Sequence, residues 1–253
     1  MFEAIGTAPV LVVVWGSMLL ALEMGWRIGR QRLQADPVGA HSGLGALEGA
    51  VFGLMGLLVA FTFSGAAARF DARRELLLKE ANAIGTVWLR LDLLPAAARD
   101  GLRADLRAYV DQRLAATRAR ATQVDVSLTA LQQHVWSQAV AGARAADDAS
   151  VAQLVLPAIN DMVDIASARY LASQTHPPGV IYAMLLVLAL ACALLGGHGM
   201  AGSQRRSWLH VFVFTGSLLM AIYVIADIEF PRLGFIRVDR YDQLLVDLRQ
   251  SMR

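Results

Sequence analysis

Charged residues vanish from this chain in four places. Ala4–Leu22, Gly49–Ala68, Tyr170–Gln204 and Ser207–Ala226 each run 19 residues or more without Asp, Glu, Lys or Arg. A bilayer core about 30 Å thick is crossed by roughly 20 apolar residues of helix. Only helices and closed barrels satisfy their own backbone amides inside lipid, and barrel strands alternate polar with apolar residues. These runs do not alternate, so the pattern predicts four transmembrane helices. An even number of crossings puts the N-terminal tail, the polar stretch after the second helix and the C-terminal tail on one side.

The polar stretch also has helical periodicity. Phe70, Leu76, Leu77, Leu78, Ala81, Ile84, Val87, Trp88 and Leu91 make a broad apolar stripe, with Arg73, Arg74, Glu80 and Arg90 expected on the solvated face. Nothing interrupts Ala66–Ala68, so the second membrane helix is expected to continue until Pro95 stops it. A further helix is predicted over Ala97–Arg120, with Leu102, Leu106, Tyr109, Val110 and Leu114 inward. Ser127 is placed to cap another over Leu128–Ala146, and Ser150 one running through Pro157 to Ser173. Short loops are expected at about Glu23–Glu48 and Gly196–Arg206. The fold class is all-α and integral to the membrane, four transmembrane helices with a helical extramembrane domain. Residues 1–68 hold helices one and two, 69–175 the extramembrane domain, 176–227 helices three and four, and 228–253 a C-terminal tail.

Composition sharpens this only slightly. The chain is 56% hydrophobic and 17% charged, with a mean hydropathy of +0.47, outside the habit of soluble domains. Between Arg69 and Arg169 lie 13 Lys+Arg and 12 Asp+Glu, so the basic residues are balanced and no nucleic-acid partner is expected. The N-terminal MFEAIG lacks a basic segment, and the first run is expected to be a retained helix rather than a cleaved signal. Cys192 is the single cysteine, so no internal disulfide can form. It is expected to pack as a small apolar residue.

Catalytic chemistry finds little purchase. His41, His134, His176, His198 and His210 are scattered, with no second ligand at metal-binding spacing on one helix face. His198 and His210 flank one short loop and are expected at the membrane ends. Asp147-Asp148 and Asp161/Asp164 are expected on solvated surface. Phosphate-binding loops, dinucleotide fingerprints and nucleophile elbows are absent from the sequence. An enzyme, a metal site and a cofactor are therefore not expected.

The second membrane helix carries the most informative spacing. Gly45, Gly49 and Gly53 recur every four residues, and Leu57 and Phe61 continue the same face. Such a stripe lets helices pack closely. It equally suits a pore face in which Gly53 lines a vestibule and Leu57 and Phe61 form an apolar neck that gates by dewetting. One chain supplies one such helix, so a pore would need a ring of copies. Arg69, Arg73 and Arg74 follow directly, either as vestibule cations or as structural bases paired with nearby acids, with Arg73 the better vestibule candidate.

The stretch GLMGLLVAFTFSGAAARFDARRELLLKEANAIGTVWLRLDLLP resembles the pore-helix signature of the bestrophins, through Phe61, Ser64–Ala68, Arg69-Phe70, Arg74 and Leu94-Pro95. Leu154–Tyr182, with Arg169 and Pro177-Pro178, is similar to the segment before the third bestrophin membrane helix. Asp227, Glu229, Pro231 and Gly234 resemble the turn after the fourth. These motifs are collinear and cover most of the chain, with the bacterial bestrophin-like domain family as the nearest grouping. Phe63 stands where the family has Asn, and Ala72 where it has Glu. The acidic calcium clasp of animal bestrophins has no counterpart beyond Asp227 and Glu229.

The resemblance implies a homo-oligomeric ion channel, a pentamer in a bacterial inner membrane, with lipids and permeant inorganic ions as its partners. It also implies a cytosolic helical domain. Arg27, Arg30 and Arg32 after the first helix argue for the reverse orientation, while Arg69, Arg73, Arg74, Lys79, Arg169, Arg232, Arg237 and Arg240 argue for this one. Two other functions remain open at this point. One is a membrane-anchored signalling or scaffold protein whose helical domain binds a soluble partner. The other is a secondary transporter, disfavoured because no inverted repeat or broken helix pair is evident.

Overall fold

The computed structural model describes residues 7–35, 44–118, 126–203, 207–230 and 239–252. Among these, eight α-helices follow one another: α1 (Thr7–Ala35), α2 (Leu44–Arg90), α3 (Ala96–Arg118), α4 (Val126–Arg144), α5 (Ser150–Gln174), α6 (Gly179–Gly199), α7 (Trp208–Glu229) and α8 (Asp239–Ser251). Among the described residues four helices are long and apolar enough to cross a membrane. The chain divides into two compact units, Met1–Ala68 with Pro177–Ile236 and Arg69–His176 with Arg237–Arg253.

In the first unit, α1 and α6 pack backbone to backbone. A Cβ on Gly25 would sit 1.8 Å from the Leu194 carbonyl oxygen, and one on Gly197 would sit 2.0 Å from that of Leu22. Only glycine permits this approach, which small residues at four-residue spacing (Gly25, Gly29) provide in membrane helices. Met18, Leu22, Met55, Leu185, Ala189, Cys192, Ala193 and Val211 fill the core beside them. Trp15 Nε1 donates to Thr215 Oγ1 at 3.1 Å, tying α1 to α7. Helix α1 runs on to Ala35, so Arg27, Arg30 and Arg32 are helical rather than part of a loop beginning near Glu23. Glu23 pairs with Arg27 one turn on at 2.7 Å, and Arg30 lies over the Trp26 ring. Both contacts favour continuing the helix.

The second unit is built around a helical core. Leu102, Leu106, Tyr109, Val110 and Leu114 are all buried, as the spacing predicts, in one core with Ile84 and Val87 of α2, Leu91 just after it, and Val155, Ile159 and Met162 of α5. Leu245 of α8 and Met252 just after it close this core, and Arg249 grips Asp111 with two bonds of 2.8 and 2.9 Å. Helix α2 ends in a 3-10 turn at Leu91–Leu93 ahead of Pro95.

Two expected caps are displaced. Helix α4 starts at Val126, so Ser127 already lies in its first turn, where backbone N–H groups have no helical partner to displace. At α5 the N-cap position is Ala149, with no side-chain cap bond, and Asp148 one residue earlier accepts the Ser150 N–H at 2.8 Å. Those bonds from Ser150 hold the Asp148 carboxyl below its ordinary value.

Glu80 is the larger correction. Expected on the solvated face, it is fully buried. It falls three residues after Leu77 and four before Ile84, on the inward stripe that helix geometry defines. Its carboxylate is met from both sides, by Arg113 Nε of α3 at 2.7 Å and by Arg169 Nη1 of α5 at 2.5 Å.

Candidate pore face and its supports

Helix α2 spans 47 residues without a break, and its two sides differ. Met55, Thr62 and Ala66 are buried, and Phe52 meets Phe214 of α7 edge-on at 5.9 Å. Cys192 of α6 reaches the Val51 carbonyl at 4.0 Å. These contacts fix which way the helix faces. Gly53, Leu57, Phe61 and Ser64 lie on the other side, exposed, within a sector of about 80° at 100° per residue. Leu57 is 53% and Phe61 69% accessible in the single chain, large values for bulky apolar side chains.

The glycines of α2 differ from those of α1. A Cβ added at Gly45, Gly49, Gly53 or Gly56 would meet nothing within 4 Å. Among the described residues none of them is required for packing, although glycine inside a helix costs roughly 0.5–1 kcal/mol against alanine.

The three arginines have separate surroundings. Arg73 Nε donates to the Ala172 carbonyl at 3.0 Å and an Nη2 to that of Thr175 at 2.9 Å, with His176 Nδ1 at 3.5 Å. This places a cation on the carbonyl-rich C-terminal end of α5, where the helix dipole favours it. Arg74 pairs with Asp71 at 3.1 Å and lies over the Phe70 ring. Arg69 is half-buried. At the far end of α7, Asp227 and Glu229 are buried, while Pro231 and Gly234 lie outside the described residues.

Two further clusters escaped the sequence reading. Around Glu80, the Tyr109 hydroxyl accepts a bond from Gln132 Nε2 at 3.4 Å. Burial, then the charge of Glu80, pushes the Tyr109 hydroxyl above its ordinary pKa. In the first unit, Glu48 near the start of α2 lies 3.5 Å from His198 Nδ1 at the end of α6. The position of Glu80 within the apolar stripe was a usable signal; the Glu48–His198 approach, 150 residues apart, had none in the sequence. Among the described residues, no group of three or more His, Cys, Asp or Glu is placed to hold a metal ion.

A family model described as the bestrophin-like domain matches residues 16–242. Two crystal structures of a bacterial bestrophin homologue from Klebsiella pneumoniae, different point variants, share the fold. One has a TM-score of 0.66 at 16% identity, covering 92% of this chain and 98% of that one. The other has a TM-score of 0.64 at 14% identity, covering 94% and 98%. No curated protein sequence matches the chain. The family model covers the end of the first apolar run, the other three runs and the helical block between them, and the chain belongs to the bestrophin-like family.

Proposed function

We propose that this chain is the subunit of a homo-oligomeric channel, a pentamer, that passes inorganic ions along an axis lined by α2. Bestrophin-like proteins are known as ion channels, and that membership is the starting point. The observation that carries the reading is the outward face of α2. Gly53, Leu57 and Phe61 lie together on one side of an apolar helix, exposed in the single chain. Copies arranged in a ring would bring these faces together, with Leu57 and Phe61 as a dewetting neck and Gly53 in a wider mouth.

Arg73 and Arg74 then act as structural bases at the polar end of the neck helix, one on the α5 carbonyls and one on Asp71. The remaining apolar surface faces lipid of a bacterial inner membrane, with the helical domain in the cytosol. Purified protein reconstituted into liposomes tests the reading. Passive collapse of an imposed ion gradient is expected, and intact gradients across bilayers holding the assembled protein would contradict it.

A further inference from the structure

The first turns of α2 are exposed at every residue from Gly45 to Ala50 except Glu48. The Glu48 carboxylate lies at the C-terminal end of α6. Its Oε1 is 3.5 Å from His198 Nδ1, and its Oε2 is 3.7 Å from where a Cβ on Gly199 would stand. The side chains of Glu48 and His198 are only 21% and 12% exposed. We infer that Glu48 and His198 form a proton-operated latch, which fastens the start of α2 to α6 when the imidazole is charged and so makes ion passage pH-dependent. Its effect on ions rests on the channel reading; the latch itself does not.

Three observations carry it. First, the end of α6 disfavours an unaccompanied carboxylate. Its last carbonyls hold the negative end of the helix dipole, so a charge on Glu48 calls for a cation beside it. Among the described residues His198 is the ion-pair partner of Glu48. Second, the α6 side of the pair is fixed. A Cβ on Gly25 would stand 3.0 Å from the His198 backbone N, and one on Gly29 2.8 Å from its carbonyl oxygen, so α1 clasps the turn that carries the imidazole. Third, Glu48 immediately precedes Gly49 and lies on the turns before Gly53, at the mouth end of the proposed pore face.

Imidazole ordinarily changes charge between about pH 5 and 8, where carboxylates stay ionised. The neighbouring charges do not change in that range. On α1, Glu23 pairs with Arg27, Arg30 lies over Trp26, and Arg32 follows Gly29 at the next turn. Helix α6 carries no other charged residue, and its Tyr182 and Cys192 lie well before His198. At the start of α7, His210 meets Ser207 Oγ at 2.6 Å and is the second imidazole near this end. Arg205 and Arg206 lie outside the described residues. Acid therefore adds the cation that Glu48 faces, and the contact tightens as pH falls.

Full-length protein in liposomes, with the same pH on both sides, tests this. The readouts are amide protection in the first turns of α2, corrected for intrinsic exchange rates, and ion flux. Between pH 8 and pH 5.5, protection should rise about fivefold, the size an ion pair of this kind supports. Flux should fall by a similar factor, because a fastened start keeps Leu57 and Phe61 in the neck. His198→Gln and Glu48→Gln each keep a polar contact but cannot form the ion pair, and either should flatten both profiles. His198→Lys stays charged, so it should show high protection and low flux at both pH values. Parental protection that ignores pH overturns the latch. So does a change that survives in His198→Gln, as titration of His210 would give. Protection that follows pH while flux does not overturns the hold on ion passage and leaves the channel reading standing. Folded, assembled parent that passes no ions at either pH overturns the channel reading, and the exchange data alone then decide the latch.

Discussion

The Glu80 carboxylate lies 2.5 Å from Arg169 Nη1, joining the extension of α2 to α5, 89 residues further along the chain. Arg113 of α3 closes the other side of the same carboxylate. Removing one partner from such a buried group leaves charge without compensation and costs about 3–5 kcal/mol. Glu80→Ala should lower the unfolding free energy of the purified protein in detergent by that measure. Arg169→Ala should do the same, and the double variant should cost less than the sum. Simple additivity would mean that the two residues do not act together.

Leu57→Ala and Phe61→Ala should each raise ion flux in liposomes, because a wider apolar neck stays wetted. Fluxes equal to the parent in folded, assembled variants would remove these side chains from the neck.

Arg73 serves the end of α5, so Arg73→Ala should speed amide exchange in the last turn of that helix. Reversal potential under a salt gradient should stay at the parental value. A shift toward cation permeation would instead restore Arg73 to the role of vestibule charge.

Asp148 gives α5 a pH dependence. Its folded pKa is lowered by the bonds from Ser150, so its stabilisation is present above the ordinary aspartate value. That contribution is lost as pH falls through the lowered folded value. Amide protection in the first turn of α5 should fall over that acid window, and Asp148→Asn should show weaker pH dependence. Identical pH profiles for the variant and the parent would exclude a role for the Asp148–Ser150 bonds.

The helical domain's side of the membrane is open to labelling. A cysteine at Asp100, an exposed position, should be protected from a membrane-impermeant thiol reagent in intact cells and labelled after lysis. Labelling in intact cells would reverse the orientation and agree with Arg27, Arg30 and Arg32.

Much of the fold was legible because it rests on runs and periods. Charge-free stretches mark the four spans, and the uninterrupted Ala66–Ala68 junction foretells the length of α2. The inward stripe from Leu102 to Leu114 follows from helical spacing alone. Glu80 was misplaced because residue type outweighed position, although its spacing from Leu77 and Ile84 put it inside. The length of α1 was underestimated because its arginines suggested a loop, while Glu23 and Trp26 supply them with helical partners. The contacts of Arg73 with Ala172 and Thr175 depend on tertiary approach, which one-dimensional spacing does not encode.

The central claim is that α2 lines an ion path between copies of the chain. Imaging the protein at side-chain resolution in a lipid disc tests it most directly. The account predicts a closed ring, five copies in number, with Gly53, Leu57 and Phe61 of every copy around a continuous axial path narrowest at the last two. A sealed bundle, or an assembly in which Leu57 and Phe61 point into lipid, would contradict it.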